Sequence, residues 1–214
     1  MPLDALAAVL GRPGVGRPGV GRPVPADPGT PFLTFYDDAT GERTELSYAT
    51  TDNWVAKTAN LLRDGLGAQP GDGVAVLLPP HWQTVVVTFA VWAAGCVLDD
   101  SADVAFVSEA AFGRVPPRPE TVVLSLKPLA APLDEVPPGA VDYAVEIPVY
   151  GDRFAATAPS TAPPATPAEG RVMVVDEDPV PAALAALHGG GGVVLTVNAD
   201  PDRLAARAET ERAH

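Results

Sequence analysis

The sequence predicts an α/β domain with a mostly parallel sheet, helices on both faces of the sheet, and an N-terminal β-hairpin. Strand-like and helix-like segments alternate from Phe32 onward. Residues 74–78 form an unbroken apolar run, which is typical of a parallel strand buried on both faces. The tail after Gly170 repeats the order strand, helix, strand, helix, which favours parallel strands joined by crossover helices.

The first regular elements are a hairpin and a helix. Two strand-like segments, 32–36 and 43–46, flank a turn that ends in Gly41, a residue that can adopt the left-handed conformation. A helix is expected over residues 48–64, with Ser47 as its N-cap.

The remaining elements follow in alternation. In the front half they are a strand at 74–78, a helix at 82–94 that stops at Gly95, and strands at 105–107 and 121–126. In the tail they are a strand at 171–175, a helix at 179–188, a strand at 193–197, and a helix at 201–212 with Asp200 as N-cap.

Two segments are predicted to be irregular, because Gly 20 and Pro 25 make up a large share of the 214 residues. Residues 11–24 repeat the unit GRPGV after a short helix at 3–10, and residues 155–169 are rich in proline. We therefore expect a helix with a low-complexity insertion over 1–30 and one truncated domain over 31–214. A basic tether through Arg12, Arg17 and Arg22 is the less favoured reading of the repeat.

Charge and cysteine content exclude several classes of protein. The net charge of −13 and the pI near 4.4 argue against nucleic-acid binding and against anionic membrane surfaces. Cys96 is the single cysteine, so no internal disulfide is expected and a reducing cytoplasm is favoured. No apolar run approaches the ~20 residues that cross a bilayer.

Four short motifs stand in order between residues 46 and 96. They are Leu46-Ser47-Tyr48, Ala59-Asn60-Leu61-Leu62, Pro70-Gly71-Asp72 and Ala94-Gly95. In this order they resemble the N-terminal part of the adenylate-forming superfamily, which comprises the AMP-dependent synthetases and ligases and the acyl-CoA synthetases. The tail from residue 180 resembles a later segment of the same enzymes. The whole is most similar to a short actinobacterial-type family that lacks the catalytic motifs.

The resemblance implies a phosphate loop where residues 158–170 stand. In the superfamily this loop is rich in Ser, Thr and Gly and ends in Pro-Lys-Gly, whereas APSTAPPATPAEG is dense in proline and has no lysine. Proline has no N–H to donate to a phosphate. The superfamily's Tyr-Gly-x-Thr-Glu and Thr-Gly-Asp motifs and its C-terminal lysine have no counterpart. We therefore expect no catalytic, cofactor-binding or metal-binding residue and no cofactor.

Several other residues have both a possible functional role and a possible structural role. A magnesium or proton-transfer site at Asp176, Glu177 and Asp178 competes with a helix N-terminus, and a site at Asp99, Asp100 and Asp103 competes with a solvated loop. For the remaining candidates a structural role is favoured. His81 and His188 are expected to be helix caps or surface residues, Cys96 a buried thiol, and Trp82 and Trp92 packing residues. Residues 189–192 are expected to form a helix end and turn, and the likeness of Tyr150-Gly151-Asp152 to the ribose-binding triplet is attributed to coincidence.

The leading hypothesis is a non-catalytic remnant of an adenylate-forming enzyme that binds a protein partner or a small acyl-type ligand. One alternative is a split synthetase completed by another polypeptide. The other is a self-associating structural protein, for example a homodimer, because a truncated domain leaves sheet edges uncovered.

Overall fold

A computed structural model describes residues 3–11 and 27–214 of the chain. Within them the strands form two sheets. The first sheet has the spatial order β2 (Glu42–Ser47), β1 (Pro31–Asp37), β9 (Gly192–Val197) and β8 (Arg171–Val175). The second has the order β4 (Val97–Leu98), β3 (Gly73–Leu77), β5 (Val104–Ser108), β6 (Glu120–Leu124) and β7 (Ala140–Asp142). The α-helices are α1 (Asp4–Val9), α2 (Tyr48–Asn60), α3 (Trp82–Ala93), α4 (Tyr143–Glu146), α5 (Val180–Gly189) and α6 (Pro201–Glu211).

The predicted fold class is confirmed. Strands β1 and β2 form the antiparallel hairpin, and every other strand pair in the described residues is parallel. The expectation of one sheet is corrected to two, because β9 pairs with β1, and β8 pairs with β9, instead of extending the sheet beyond β7. Such pairing between distant segments leaves no local pattern in the sequence.

The predicted signals at helix ends act as expected. The Ser47 hydroxyl accepts a hydrogen bond of 3.1 Å from the Thr50 amide at the start of α2. The Asp200 carboxylate accepts one of 3.1 Å from the Asp202 amide at the start of α6. Helix α2 is followed by one wide π-helical turn, Leu61–Gly65, so the α-helix ends earlier than predicted.

Helix α3 lies between the two sheets and contacts β1 on one side and β3 on the other. All of its residues are buried, as expected for a helix that is apolar on every side. Helices α1 and α2 pack on it. An aromatic group joins the layers, since the ring of Phe32 lies 4.6 Å from that of Tyr48 and 6.4 Å from that of Phe89.

The outer faces of the two sheets are covered differently. Helix α6 packs on the first sheet, where the Arg207 guanidinium lies 4.1 Å from the centre of the Tyr36 ring. On the second sheet a loop takes the place of a helix, and its Phe112 and Val115 pack against Ala105 and Val107.

The two irregular segments have different outcomes. The GRPGV repeat lies outside the described residues except for Gly11. Residues 155–169 contain no helix or strand, as predicted. The division at residue 30 stays a prediction, although α1 is packed in the common core. In the described part of the chain, no helix has the length and apolar character needed to cross a membrane.

Candidate functional site

A cleft with a volume of about 360 Å³ opens where the carboxyl ends of the parallel strands of both sheets converge. We call it the carboxyl-end cleft. Its apolar lining consists of Phe35, Pro79, Pro80, Leu126 and Val197. Its polar lining consists of Asp37, Glu42, His81, Asp176 and Asn198. Ligands of open α/β sheets bind at this end of the strands, and the volume suits a small molecule.

Two carboxylates of the cleft are joined by Asn198. Its backbone amide donates a hydrogen bond of 2.6 Å to Asp176 Oδ1, and its side-chain amide donates one of 2.8 Å to Asp37 Oδ1. Burial alone would raise the pKa of Asp37, but hydrogen bonds from Asn198 and from the Ala39 amide lower it overall. The charged form of Asp37 is therefore favoured.

Glu42 adds a third carboxylate. Burial raises its pKa, and the neighbouring charge of Asp37 raises the pKa further. The Thr44 hydroxyl donates a 2.8 Å hydrogen bond to its Oε1, which partly opposes this rise. No lysine or arginine lines the carboxyl-end cleft among the residues that the structure describes. The lining of the cleft therefore combines negatively charged groups with apolar residues.

His81 is the most deeply buried polar residue of the cleft, with 4% of its surface exposed. As the N-cap of α3 it accepts a 3.2 Å hydrogen bond from the Gln83 amide through Nδ1, so the neutral ring has its proton on Nε2. Burial lowers the pKa of His81 to about 3, which keeps the ring uncharged at neutral pH. Nε2 is buried and has no hydrogen-bond partner among the described residues. Buried polar atoms without partners are rare and indicate a missing water or ligand.

Three of the six non-glycine residues with positive φ angles in the described part of the chain line the cleft. Leu126, Asp176 and Asn198 all adopt positive φ angles, of 56°, 52° and 50°. Aspartate and asparagine tolerate this conformation, whereas leucine rarely adopts it. Strained residues often accompany functional sites, and this cluster supports the choice of cleft.

A larger cavity of about 490 Å³ lies on the outer face of the second sheet. Prolines and apolar residues form most of its lining, and its charged residue, Arg118, donates hydrogen bonds to the carbonyls of Asp100 and Ala102. Because Arg118 is engaged in holding a loop, this cavity offers no convergent polar groups.

The three acidic residues after β8 lie in different surroundings, and the magnesium or proton-transfer role stays a prediction. Asp176 lines the cleft, whereas Asp178 accepts a 3.0 Å hydrogen bond from the Val180 amide and so caps α5. Glu177 is exposed. Asp99 accepts hydrogen bonds from the amide and hydroxyl of Ser101, as expected for a solvated loop. No group of three or more histidine, cysteine or acidic side chains in the described ranges could hold a metal ion.

The other candidates lie outside the cleft. Cys96 is buried, and burial raises the pKa of its thiol to about 11, which makes it unreactive. The rings of Trp82 and Trp92 pack at 5.4 Å against Trp54 and at 5.7 Å against Phe89, respectively.

Two further groups of candidates, residues 150–152 and His188, also lie outside the cleft. The carbonyls of Tyr150 and Gly151 accept hydrogen bonds from side chains of α2, and Asp152 is exposed. His188 lies in the last turn of α5, and Gly190 ends that helix with a φ of 75°.

Comparisons with known proteins agree with this fold. A family model described as AMP-binding enzyme matches residues 22–98. A TIGR03089 family protein of Mycobacterium tuberculosis is 39% identical over 221 residues, covering 87% of this chain and 91% of that protein. The chain belongs to the TIGR03089 family.

Solved structures show the same fold for this TIGR03089 family member. An acyl-CoA synthetase of Brucella canis superposes with a TM-score of 0.69 at 16% identity, over 98% of this chain and 48% of the synthetase. Acetoacetyl-CoA synthetase of Streptomyces lividans gives 0.63 at 18% identity, over 92% and 38%. The chain therefore spans less than half the length of either synthetase. It has the fold of the N-terminal part of these enzymes, as the sequence motifs predict.

The family member's proline-rich segment 158–170 is fastened by its own polar groups. The Thr161 hydroxyl donates to the Cys96 carbonyl, the Ala162 amide to the Ser160 hydroxyl, and the Ala168 amide to the Ala185 carbonyl. Four of its residues are prolines and have no amide hydrogen. Residue 158 packs beside Gly95 at the end of α3, whereas the cleft lies at the beginning of that helix.

Most residues of the carboxyl-end cleft were missed by sequence reasoning. Asp37, Glu42, Asn198 and Leu126 were not proposed, and His81 was assigned a cap or surface role, of which the cap is confirmed. One signal was available for Asp37 and Asn198, since each stands at or just after the end of a strand in a predicted parallel sheet. No local sequence pattern predicts that Leu126 lines the cleft.

Proposed function

We propose that this protein does not adenylate a substrate and instead binds a small organic ligand in the carboxyl-end cleft. One observation carries the proposal: segment 158–170 has four prolines, which have no amide hydrogen, and its residue 158 packs at the end of α3, away from the cleft. Its Thr161 hydroxyl and its Ala168 amide already donate hydrogen bonds to the carbonyls of Cys96 and Ala185. A phosphate loop needs successive free amides and a cation.

The energetic consequence is large. Each hydrogen bond to a charged group is worth ~1.5 to 3 kcal/mol, so the loss of three or four costs at least about 5 kcal/mol. That loss would turn micromolar binding of ATP into millimolar binding or weaker. The three carboxylates of the cleft, Asp37, Glu42 and Asp176, would also repel a triphosphate.

The two matched synthetases suggest the alternative. Their names describe acyl-CoA and acetoacetyl-CoA synthesis, and this chain corresponds to less than half of each. A split synthetase would need a second polypeptide that supplies the phosphate loop, the ribose-binding aspartate and the lysine. The unpaired thiol of Cys96 supports a cytoplasmic location for either function.

Calorimetric titration with Mg·ATP tests the proposal. We expect no binding in the micromolar range, whereas a full-length acyl-CoA synthetase titrated in parallel should bind. Micromolar binding by this chain alone would overturn the proposal. ATP–pyrophosphate exchange that appears only when a second polypeptide is added would establish the split synthetase instead.

A further inference from the structure

We propose that the carboxyl-end cleft is selective for a small primary amine that also has a hydroxyl group, that is, an amino alcohol. The ammonium group would lie against Asp37 and Asp176, the hydroxyl oxygen would accept a hydrogen bond from His81 Nε2, and the hydrocarbon part would contact the apolar lining. This inference rests on the proposed binding function of the cleft and names its ligand class.

Charge is the first step of the argument. Asp37, Glu42 and Asp176 line the cleft, and no lysine or arginine does so in residues 3–11 and 27–214. Two arginines that contact the first sheet are paired with other carboxylates: Arg207 with Asp38 at 2.7 Å, and Arg43 with Glu45 at 2.8 Å. The charge of the cleft is therefore not neutralised from within, and a cation is favoured over a carboxylate or phosphate.

The second step distinguishes an organic cation from a metal ion. Oxygen atoms of Asp37 and Asp176 already accept hydrogen bonds from Asn198, at 2.8 and 2.6 Å. The described part of the chain also has no cluster of metal-ligating side chains. An ammonium group donates hydrogen bonds to carboxylates singly and needs no closed coordination shell.

The buried imidazole of His81 supplies the third step. Its Nδ1 is occupied by the Gln83 amide, so Nε2 is the donor, and this buried, unpartnered donor belongs to a residue that lines the cleft. The ring is neutral and does not repel an ammonium group. A ligand oxygen would satisfy the donor, which accounts for an otherwise costly buried group.

The fourth step concerns the rest of the ligand. Phe35, Leu126 and Val197 provide apolar surface in the lining beside the carboxylates. This arrangement suits a short hydrocarbon chain between the amine and the hydroxyl.

Four probes of equal chain length test the inference: aminopentanol, pentylamine, pentanol and pentanoate. We expect aminopentanol to bind most tightly by calorimetry and to raise the Tm most, followed by pentylamine. Pentanol should bind weakly and pentanoate should not bind. Binding of aminopentanol should weaken with added salt, because its ammonium group is attracted by exposed charges.

Variants locate the two ends of the ligand. Asp176→Asn should weaken the binding of both amines about tenfold, because it removes one negative charge from the cleft. Asparagine tolerates the positive φ of that position, so the backbone should be unchanged. His81→Asn keeps an N-capping residue at the start of α3. It should weaken the binding of aminopentanol about fivefold and leave the binding of pentylamine unchanged. Asp99→Asn removes the same charge from a distant loop and serves as the control.

Other outcomes separate this inference from the proposed function. If pentanol or pentanoate binds as tightly as the amines, the amine class is wrong while a binding function of the cleft stands. If none of the four probes binds, the amino-alcohol inference is overturned. Micromolar Mg·ATP binding would overturn the proposed function itself.

Discussion

The carboxylate of Asp52, in α2, accepts a hydrogen bond of 2.8 Å from the backbone amide of Leu6, in α1. Helix α1 has only six residues, and the residue before it, Leu3, makes no capping bond through its side chain. Because the first amides of a helix lack partners within it, the carboxylate of Asp52 supplies one from a neighbouring helix. This contact fixes α1 against the core.

Asp52→Asn should make the protein more stable at neutral pH. Burial, with a smaller contribution from the charge of Asp4, raises the pKa of Asp52 to about 6. Since the folded state then binds the proton more tightly than the unfolded chain, the resulting stabilisation is complete below about pH 4 and is lost as the pH rises through about 6. The difference between this pKa and the ordinary value for aspartate corresponds to about 3 kcal/mol in the free energy of unfolding. Asparagine retains an oxygen acceptor for the Leu6 amide and removes the buried charge.

Urea unfolding between about pH 4 and pH 8 measures this effect. The wild-type free energy of unfolding should decrease over the lower part of this range, and that of Asp52→Asn should remain flat. Asp52→Ala loses the acceptor as well and should be less stable than Asp52→Asn by ~1 to 3 kcal/mol. A wild-type stability that increases from pH 4 to pH 6 would contradict the raised pKa.

The ion pair between Asp38 and Arg207 should have the opposite pH dependence. Hydrogen bonds from Arg207 lower the pKa of Asp38 to about 2, and both side chains are largely buried, with 5% and 9% exposed. Its stabilisation is present above about pH 4 and is lost as the pH falls through about 2. Asp38→Asn should therefore cost about 2 kcal/mol at neutral pH, a difference that fades in acid.

A surface pair provides the control for Asp38. Asp134 pairs with Lys127 at 2.8 Å, but its side chain is 92% exposed. Asp134→Asn should change the stability by less than about 0.5 kcal/mol at any pH, because exposed pairs contribute little. Equal effects of the two substitutions would show that the Asp38 pair is no stronger than a surface contact.

Local chemistry explains which parts of the fold could be predicted. The hairpin turn at Gly41, the cap at Ser47 and the helix α3 depend on residues a few positions apart, and all three were predicted. The contact between Leu6 and Asp52 spans 46 positions, and that between Asp37 and Asn198 spans 161. Such contacts depend on how distant segments of the chain pair, so the division of the strands into two sheets and the position of the cleft could not be predicted from periodicity and caps.

The glycines between α5 and β9 should differ sharply in their tolerance of alanine. A Cβ atom at Gly191 would lie 2.2 Å from the carbonyl oxygen of Gly170, so the backbone would have to move. Gly190 has open space around it but a φ of 75°. We expect Gly190→Ala to cost about 1 kcal/mol and Gly191→Ala to cost more than about 2 kcal/mol.

Thermal or urea unfolding of the variants checks this order, with Gly151→Ala as a third case. A Cβ atom at Gly151 would meet its nearest neighbour at 3.8 Å and would be in ordinary contact. We expect this substitution to change the stability by less than about 0.5 kcal/mol. If Gly191→Ala were as stable as Gly151→Ala, the close approach of the proline-rich segment to the glycine turn would be wrong.

Thr161→Val should release the proline-rich segment and expose Cys96 to thiol reagents. The Thr161 hydroxyl donates to the Cys96 carbonyl, and Cys96 is fully buried with a pKa raised to about 11 by burial, so labelling of the folded wild-type protein should be slow. Loss of one hydrogen bond, worth about 1 kcal/mol, should increase the rate of labelling about fivefold if it occurs through local opening. Thr166→Val is the matched control, because Thr166 lies in the same segment and makes no side-chain hydrogen bond among the described residues. Equal labelling rates for both variants and the wild type would mean that the Thr161 bond does not hold the segment, and this bond would then no longer argue against a phosphate-binding role.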